Sequence, residues 1–500
     1  MSTPPRRLAA ERLAALPAIV RRPGYQPANH GVGIVHIGIG AFHRAHQAAY
    51  VDEMLGRAGG DWRIQGISCR SPAVRDQLEP QQGLYTLIER SGAGTSARVI
   101  GSVAGVTVAS EDPRVVIRLL AAPTTRLVTL TVTEKGYCRQ PASGALDLQH
   151  PDVVHDLAHP DRPRSPLGLL VAGLRQRRAA GHAPPAVLCC DNMPANGRAL
   201  ARLAHEFAGL LDAQLAHWIE SDVRFPCCMV DRIVPATRPV DVDEAATLLG
   251  LRDEGVVCTE PFSQWVVEED FGAQRPPLEL AGVQFVGDVR PFELAKLRLL
   301  NGSHSTLAYL GLLAGRQYVH EAIADPGLHG LVGQLMRAEI EPTLAPTPGQ
   351  PARQYQEALL ARFANPVLAH RLAQIAMDGT QKLPQRLLAP LAERLARDEP
   401  VDALCLAVAG WMAFAAGCCA PGSGRALDDP MAPAIQPALQ GVQGDAAAIV
   451  VALLGLEAPF TQSLAAHPAL RRMLVRDVES LLRLGVPRTL QMRSAELGWN

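Results

Sequence analysis

Short apolar segments alternate with helical segments over residues 32–190, and this alternation constrains the fold more than any other feature of the sequence. The apolar segments are rich in Val, Ile and Leu, which is typical of strands buried on both faces. We expect strands at 32–39, 62–68, 126–132 and 186–190, and helices at 41–55, 113–120 and 167–180. The pattern predicts an α/β domain whose parallel sheet is covered by helices on both faces.

The second half of the sequence has a different texture, with long stretches rich in Ala and Leu and few strand signals. We expect this half to be mostly α-helical, with a loop at 345–351, where prolines and a glycine cluster. A chain of 500 residues is too long for one hydrophobic core. The expected division is an N-terminal extension at 1–29, the α/β domain at 30–285 and a helical domain at 286–495.

Composition excludes several classes of protein. The net charge of −1 and the lack of a Lys/Arg run leave no electrostatic footprint for nucleic acid. The ten cysteines lack CxxC spacing, so we expect reduced thiols in a cytoplasmic protein and no metal site.

The N-terminus lacks the apolar block of a signal peptide. The uncharged stretch 403–420 has membrane-spanning length, but its Ala and Gly content favours a buried helix of the helical domain.

The first expected strand runs into the glycine loop Gly38-Ile39-Gly40-Ala41-Phe42. Two glycines at such a turn let the backbone approach a pyrophosphate at a helix N-terminus, which predicts a dinucleotide site. The usual third glycine is replaced by His43, and a plain strand-to-helix turn is the alternative interpretation. The position of the loop, first in the strand–helix alternation, favours the dinucleotide.

The end of the second strand bears on the choice between NAD and NADP. A carboxylate there would hydrogen-bond the ribose 2′-hydroxyl of NAD. This strand ends instead at Ser68-Cys69-Arg70-Ser71, where Ser68, Arg70 and Ser71 offer partners for a 2′-phosphate. The choice between the two cofactors therefore stays open.

Lysine is scarce, since Lys135, Lys296 and Lys382 are the only three among 48 basic side chains. Arginine keeps its proton in proteins, whereas a buried lysine can lose it and act as a base. Positions that keep lysine are therefore candidates for chemistry that arginine cannot perform.

Lys296 lies in the most suggestive of the three contexts. If 291–304 forms a regular helix, Glu293, Lys296, Asn301 and His304 share an arc of about 140°. Leucines around Lys296 would desolvate it and lower its pKa, as a general base requires. Asn301 can donate to a developing oxyanion, and His304 can orient a hydroxyl. The alternative is a solvated helix face with a surface ion pair.

Three loops carry further polar candidates. Asn192 follows the fourth strand at the edge of the sheet where ligands usually bind, although Asn, Pro and Gly also make ordinary turns there. Glu134 and Lys135 hold the same position after the third strand and are candidate cofactor contacts, with an ordinary loop lysine as the alternative for Lys135. Asp231, next to Arg232, is a candidate substrate contact or half of a structural ion pair.

A pair of cations in the helical half completes the candidates. Lys382 and Arg386 are four residues apart, where they would suit a polar substrate, a phosphate or the surface equally well. 

Five motifs in order along the chain resemble the polyol-specific long-chain dehydrogenases, the mannitol dehydrogenase family. They are GIGAFHRAHQ at 38–47, TVTEKGY at 131–137, DNMPANG at 191–197, MVDRIVP at 229–235, and the set Lys296, Asn301 and His304. The resemblance covers about residues 30–490. It implies an N-terminal Rossmann-type domain, a helical C-terminal domain, and metal-independent hydride transfer to NAD, with NADP possible.

The resemblance also implies residue roles. Lys296 would be the catalytic base, Asn192 and Asn301 the oxyanion contacts, and His304 the residue that orients the substrate. The acidic residue that the family carries after the second strand is not matched here. The expected activity is interconversion of a linear polyol and its ketose. The alternatives are a fructuronate reductase, with Arg386 or Lys382 on the sugar carboxylate, and a dinucleotide sensor without turnover. We expect a monomer, with a dimer left open.

Overall fold

The computed structural model describes residues 6–92, 94–140, 143–272, 274–420, 422, 424, 426–442 and 444–499. The chain divides into two compact units, Met1–Arg290 and Pro291–Asn500. The first unit contains the β-sheets, and the second is built from helices. This confirms the predicted fold class of an α/β domain followed by a mostly helical one.

The strands of the described part of the first unit form three sheets. They are β1 (Val20–Arg21), β2 (Val32–Ile37), β3 (Arg63–Ser68), β4 (Tyr85–Ser91), β5 (Gly94–Ile100), β6 (Val103–Val108), β7 (Leu127–Leu130), β8 (Ala186–Cys189), β9 (Cys228–Asp231), β10 (Val257–Thr259), β11 (Gln264–Glu268) and β12 (Gln284–Val286). The four strands expected from the sequence are β2, β3, β7 and β8.

The central sheet is parallel and has the strand order β6-β3-β2-β7-β8. Val35 of β2 lies opposite Gln65 of β3 on one side and Val128 of β7 on the other. The chain winds outward from β2 in both directions, which is the doubly wound Rossmann arrangement. The carboxyl ends of β2 and β7 therefore meet at the point where the winding direction changes, the usual ligand position in such sheets.

Helices cover both faces of this sheet, because β2 is apolar on both. Val35 and Ile37 pack into one hydrophobic core, whereas Ile34 packs into the other. The helices of this unit are α1 (Ala41–Ala45), α2 (Gln47–Ala58), α3 (Ala73–Leu78), α4 (Pro113–Ala121), α5 (Pro151–Ala158), α6 (Pro166–Ala179), α7 (Asn196–Gly209), α8 (Ala213–Asp222) and α9 (Pro239–Leu249). The alternation of side chains along a buried strand thus places helices on both sides of the sheet.

Two further sheets in this unit did not emerge from the sequence pattern. One has the order β1-β5-β4-β10, with β4 and β5 forming an antiparallel hairpin. The other has the order β12-β11-β9. Val20 of β1 lies opposite Ala97 of β5, and Leu8 and Leu16 are fully buried beside them. The N-terminal segment is therefore part of the first unit's core.

The described residues of the second unit form no sheet. The helices from Arg290 onward are α10 (Arg290–Ala295), α11 (Gly302–Leu313), α12 (Val319–Ile323), α13 (Pro326–Gln334), α14 (Ala352–Phe363), α15 (Leu372–Ala376), α16 (Gly379–Leu383), α17 (Ala389–Leu395), α18 (Asp402–Cys419), α19 (Ala432–Ala438), α20 (Ala446–Leu454), α21 (Gln462–Ala465) and α22 (Pro468–Leu497). The expected loop at 345–351 lies between α13 and α14.

Helix α18 is the one helix, among the residues described, whose length and apolar composition would suffice to cross a membrane. It packs against α11 and α22, and 83% of its residues are buried within the structure. Its apolar surface is therefore used by the core of the second unit, as the sequence predicted.

Three segments in the described part of this unit are π-helical, with wider turns than an α-helix: Lys296–Asn301, Leu335–Ile340 and Pro384–Leu388. Such turns are rare and are often found at functional sites.

Candidate active site

The glycine loop turns sharply at the carboxyl end of β2. Gly38 has a φ of +100°, and a side chain there would collide with the carbonyl oxygen of Thr131 at the end of β7. The Thr131 hydroxyl donates to the Gly38 carbonyl at 2.9 Å. Only glycine fits this position, because the backbone conformation is left-handed and a neighbouring strand leaves no room for Cβ.

The second glycine of the loop leaves its backbone accessible. A Cβ on Gly40 would find its nearest neighbour, the Gly38 carbonyl oxygen, at 3.8 Å. Gly40 is the N-cap of α1, and no side chain caps that first turn. Amide groups at such a helix start are suitable for binding a pyrophosphate, so the loop fits a dinucleotide.

The third glycine of the usual pattern is not needed here, because flat rings pack in its place. The His43 ring stacks on that of His36 in β2, with 3.4 Å between centroids and 15° between planes. Both rings are fully buried. The predicted helix at 41–55 is also interrupted. His46 breaks it, with φ −116° and ψ −88°, and its Nε2 lies 2.8 Å from the Gln264 carbonyl oxygen.

The end of β3 lies where the sequence predicted it. The Ser68 hydroxyl donates to the Ser71 carbonyl oxygen at 2.5 Å, so it is engaged within its own turn. The Arg70 side chain is 86% exposed and lies 3.4 Å from Asp152. Cys69 and Arg70 border a cavity of about 700 Å³ that also contains charged side chains, namely Glu111, Asp112, Arg114, Asp152, Arg162 and Arg164.

The loops after β7 and β8 are tied together by Asp191. Its carboxylate accepts hydrogen bonds from the backbone N–H groups of Val132 and Thr133, at 2.8 and 3.1 Å, and from the Tyr137 hydroxyl, at 2.6 Å. Burial raises the pKa of Asp191, although these donors act in the opposite direction. Asp191 therefore fixes the loop that presents Asn192, whose side chain is exposed.

The two asparagines of this loop have different surroundings. Asn196 is buried, donates to the Cys228 carbonyl oxygen at 2.7 Å and accepts from the Cys228 N–H at 3.0 Å. It therefore fastens the loop to β9. Asn192 is the one of the pair that a ligand can reach.

The remaining candidates of the first unit lie at the ends of β7 and β9. Glu134 and Lys135 are exposed, and Glu134 lies 3.3 Å from Arg139. Asp231 is buried at the end of β9. Arg232 donates to the carbonyl oxygens of Ala45 and Glu260 and forms a salt bridge with Glu89.

In the second unit, Lys296 and Asn301 are the first and last residues of a π-helical segment. The Gly302 N–H donates to the Leu297 carbonyl oxygen five residues earlier, which marks the wide turn. The predicted arc assumed a regular helix and is therefore wrong in its angles, because each residue turns the chain less in a π-segment. Leu294, expected to shield Lys296, is 37% exposed instead.

Lys296, Asn301 and His304 are buried, as the sequence predicted. Lys296 and Asn301 are each 9% exposed and His304 is 6% exposed. The Asn301 Nδ2 and the His304 Nε2 are buried atoms with no hydrogen-bond partner among the residues described. Buried polar atoms normally have partners, and an orphan often marks the place of a ligand or water.

The His304 ring packs against two other rings. Its centroid lies 4.6 Å from Phe363 and 5.3 Å from His370. Burial lowers the pKa of His304 well below its usual value, and His370, Arg362 and Arg386 lower it further. His304 is therefore a neutral imidazole, which can both donate and accept a hydrogen bond.

Arg386 belongs to the same cluster, whereas Lys382 is held by its own loop. Arg386 lies on the π-segment Pro384–Leu388, which packs against Lys296–Asn301, and its Nη1 donates to the Ser305 hydroxyl at 3.1 Å. The Lys382 ammonium donates to the Met377 carbonyl oxygen at 2.5 Å and lies 3.8 Å from Asp378. Burial lowers the pKa of Lys382, and Arg386 adds to this effect.

Several residues that contribute to the candidate site were not predicted from the sequence. The isolated histidine in the apolar strand β2 was a usable signal for the stack of His36 on His43. Asp191 directly precedes Asn192, which the sequence had indicated as a candidate. Nothing in the sequence indicated that Asp191 connects the loops after β7 and β8. His370 and Phe363 lie far from His304 in sequence and carried no signal.

Comparisons with known proteins agree with this architecture. Residues 32–280 match the mannitol dehydrogenase Rossmann domain, and residues 288–482 match the mannitol dehydrogenase C-terminal domain. The chain is 42% identical to the D-mannonate oxidoreductase of Escherichia coli over 449 residues, covering 89% of this chain and 92% of that protein. It is 39% identical to a mannitol 2-dehydrogenase of Aspergillus fumigatus over 486 residues, covering 95% and 96%.

A solved structure gives the same result. The Pseudomonas fluorescens mannitol 2-dehydrogenase, in a ternary complex with NAD and D-mannitol, matches with a TM-score of 0.86 and 37% identity, covering 98% of this chain and 100% of that one. The two domain matches together span most of the sequence, and the order of the domains is that of the two compact units. The chain is therefore an oxidoreductase that belongs to the mannitol dehydrogenase family.

Proposed function

We propose that this enzyme interconverts a linear polyol of the mannitol type and its ketose, with NAD as the working cofactor. One observation carries the proposal: Lys296, which is buried, and Asn301, whose buried Nδ2 has no hydrogen-bond partner among the residues described, occupy the two ends of one π-turn. A lysine supplies a base, and an amide N–H stabilises the oxygen from which a proton is removed. Oxidation of a secondary alcohol without a metal uses both functions.

The dinucleotide would be held by the first unit. The backbone of Gly38, Gly40 and Ala41 at the start of α1 would bind the pyrophosphate. NAD, when bound, supplies the nicotinamide ring that exchanges a hydride with the substrate carbon. Its use is supported by the NAD complex of the Pseudomonas fluorescens relative.

Lys296 would act as the general base. In its neutral form it accepts the proton of the substrate hydroxyl, and in the reverse direction it returns that proton to the ketose oxygen. Its 9% exposure restricts access of water to the amine. Arginine cannot take this role, because it does not lose its proton.

Asn301 and Asn192 would donate hydrogen bonds to the alkoxide-like oxygen. Donors of this kind typically lower the barrier by about 3–4 kcal/mol each. His304, neutral because of its burial, would orient a substrate hydroxyl through its Nε2. Asp231, Lys382 and Arg386 would contact the other hydroxyl groups of the polyol.

A sugar acid is the second candidate substrate, and Arg386 is the observation that favours it. Its guanidinium lies beside Asn301 and Ser305, within the same cluster as His304. A guanidinium is the side chain best suited to a carboxylate. The D-mannonate oxidoreductase relative, at 42% identity, supports the same possibility. Lys382 is less suited, because a carbonyl oxygen and Asp378 already engage it.

A substrate panel tests the proposal. Absorbance of the reduced nicotinamide would be followed with mannitol, arabinitol, fructose and fructuronate, each with NAD and with NADP. We expect turnover of mannitol and fructose. Turnover confined to fructuronate would favour the second candidate, and no turnover in the whole panel would contradict both.

The role of Lys296 is tested by substitution. We expect Lys296→Ala to abolish turnover and to leave NAD binding nearly unchanged, because the base acts on the alcohol and the dinucleotide is bound by the other unit. Lys296→Arg should be equally inactive. The control is Arg353→Ala, an exposed cation on α14. A near-normal kcat in Lys296→Ala would contradict the assignment.

A further inference from the structure

A second cavity of about 610 Å³ lies within the first unit, and no residue of the glycine loop lines it. Its walls come from α2, β1, β4 and β5. None of its lining residues belongs to the loops at the carboxyl ends of β2, β3, β7 and β8. Its volume is in the range of pockets that hold small molecules.

The charged residues of this cavity are unbalanced. They are Arg21, Arg57, Arg98, Arg232, Glu53 and Glu89. Four arginines face two glutamates, so the lining carries two positive charges in excess. Such a cavity attracts anions.

Both glutamates are already engaged by other arginines. Glu53 forms salt bridges with Arg21 and with Arg57, the latter at 2.9 Å. Glu89 forms a salt bridge with Arg232, whose side chain is only 2% exposed. Burial would raise the pKa of Glu53, but hydrogen bonds from Arg57 and Arg21 lower it, so the carboxylate stays ionised.

Arg98 forms only long ion pairs with these two glutamates and hydrogen-bonds to neither of them. Its side chain is 16% exposed, and its Nη atoms lie 3.8 Å from Glu53 and 4.0 Å from Glu89, beyond hydrogen-bond distance. Its Nε is buried without a partner among the residues described. A guanidinium has five N–H donors, and one that is mostly buried normally uses several of them. The Nη donors of Arg98 are therefore available to a ligand in the cavity.

We infer that this cavity binds a phosphate monoester of a small polyhydroxy molecule, with the phosphoryl group on Arg98. A phosphoryl dianion matches the excess charge, and its oxygens match the fork of a guanidinium. The cavity is larger than a phosphate ion needs. Tyr50 and Ser96 line it, and their hydroxyl oxygens can accept hydrogen bonds from the remainder of the ligand, although the Ser96 hydroxyl already donates to Glu89 at 3.3 Å and that of Tyr50 is hydrogen-bonded with Ser263.

Calorimetric titration of the full chain tests the inference, and it needs no catalysis. Glucose 6-phosphate, inorganic phosphate and glucose would each be titrated into protein saturated with NAD, so that the dinucleotide site is filled. We expect one saturable site for glucose 6-phosphate, weaker binding of inorganic phosphate and no heat from glucose. Because turnover is not measured, failure here is distinguishable from failure of the proposed function.

Two variants locate the site. Arg98→Met should weaken binding of glucose 6-phosphate by at least about tenfold, as expected when hydrogen bonds to a charged group are lost. Arg57 is an exposed residue of the cavity lining, and Arg57→Glu should weaken binding of glucose 6-phosphate at least about threefold through the change in charge alone. This second variant keeps the test valid if Arg98→Met does not fold. The control is Arg353→Met in the second unit, which should bind as the wild type does.

Three results would overturn the inference. The first is no saturable binding of glucose 6-phosphate to the wild type. The second is wild-type affinity in Arg57→Glu and in folded Arg98→Met. The third is equal affinity for inorganic phosphate and glucose 6-phosphate, because the hydroxyl groups would then have no role.

Discussion

At the scale of single residues, Asn301 provides the most direct test of the proposed chemistry. Its Nδ2 is buried and has no partner among the residues described, so a donor there is unused until a ligand binds. We expect Asn301→Ala to lower kcat by about 100- to 1000-fold, because one oxyanion donor is typically worth that much.

The measurement is steady-state kinetics with mannitol and NAD. The control is Asn365→Ser, since Asn365 caps a short helix of the same unit and serine can cap it too. A rise in KM alone, with kcat unchanged, would show that Asn301 binds substrate and transition state equally well.

Residue chemistry was the part of the site most accessible from sequence. The scarcity of lysine directed attention to Lys296, which is buried, but equally to Lys135, which is exposed, and to Lys382, which binds carbonyl oxygens. Composition selects candidates, but it cannot separate a buried base from a lysine that fastens a loop. Only the packing around each residue does so.

At the scale of elements, the end of β3 controls the choice of cofactor. Cys69 follows this strand, and burial raises the pKa of its thiol to about 11, so the side chain is uncharged at neutral pH. No carboxylate follows Ser68 directly, and Arg114, Arg162 and Arg164 line the adjoining cavity. We therefore expect weak discrimination between NAD and NADP.

Replacing Cys69 with Asp tests this interpretation. A carboxylate there should accept a hydrogen bond from the ribose of NAD and repel a 2′-phosphate. We expect the NAD/NADP ratio of kcat/KM to rise by about 10- to 100-fold, whereas Cys69→Ser should leave it unchanged. A wild-type enzyme that already rejects NADP by orders of magnitude would contradict the prediction and point to another acidic residue, such as Glu111 or Asp112.

The parallel sheet could be predicted because its strands are apolar on both faces and alternate with helices. The hairpin of β4 and β5 was missed because polar residues such as Glu89, Arg90 and Ser91 interrupt the apolar pattern there. The π-segment at Lys296–Asn301 was also missed, since its sequence is equally compatible with an α-helix. The local pattern of apolar residues thus predicted the parallel sheet, whose strands end in the loops of the first unit. It did not predict the π-segment that positions Lys296, the proposed base.

At the scale of the whole molecule, a metal has no task in the proposed reaction. Lysine supplies the base and amides supply the oxyanion donors. No group of three or more His, Cys, Asp or Glu side chains suited to a metal occurs within the described ranges. We expect EDTA to leave the initial rate of mannitol oxidation unchanged. Loss of activity on chelation, restored by added zinc and not by magnesium, would contradict the proposed mechanism.

Buried histidines should also make the stability of the molecule depend on pH. Burial lowers the pKa of His36 from 6.5 to about 3, and it lowers the pKa values of His43 and His304 in the same direction. Between about pH 6.5 and pH 3 the unfolded chain therefore binds more protons than the folded one, so stability falls as pH falls. Above the unfolded pKa the effect is absent.

The contribution of His36 alone is large enough to measure. At pH 5 it should reduce the free energy of unfolding by about 2 kcal/mol relative to pH 7, because a histidine in the unfolded chain is then mostly protonated. We expect His36→Gln to be less stable than the wild type at pH 7, since the contact of its Nδ1 with the Thr129 hydroxyl at 2.7 Å is altered, but to lose less stability on acidification. Urea unfolding at the two pH values measures both quantities, with His159→Gln, an exposed histidine of the same unit, as the control. Equal pH dependence in the wild type and in His36→Gln would mean that His36 does not remain neutral in the folded protein, and that the stack with His43 accommodates a charge.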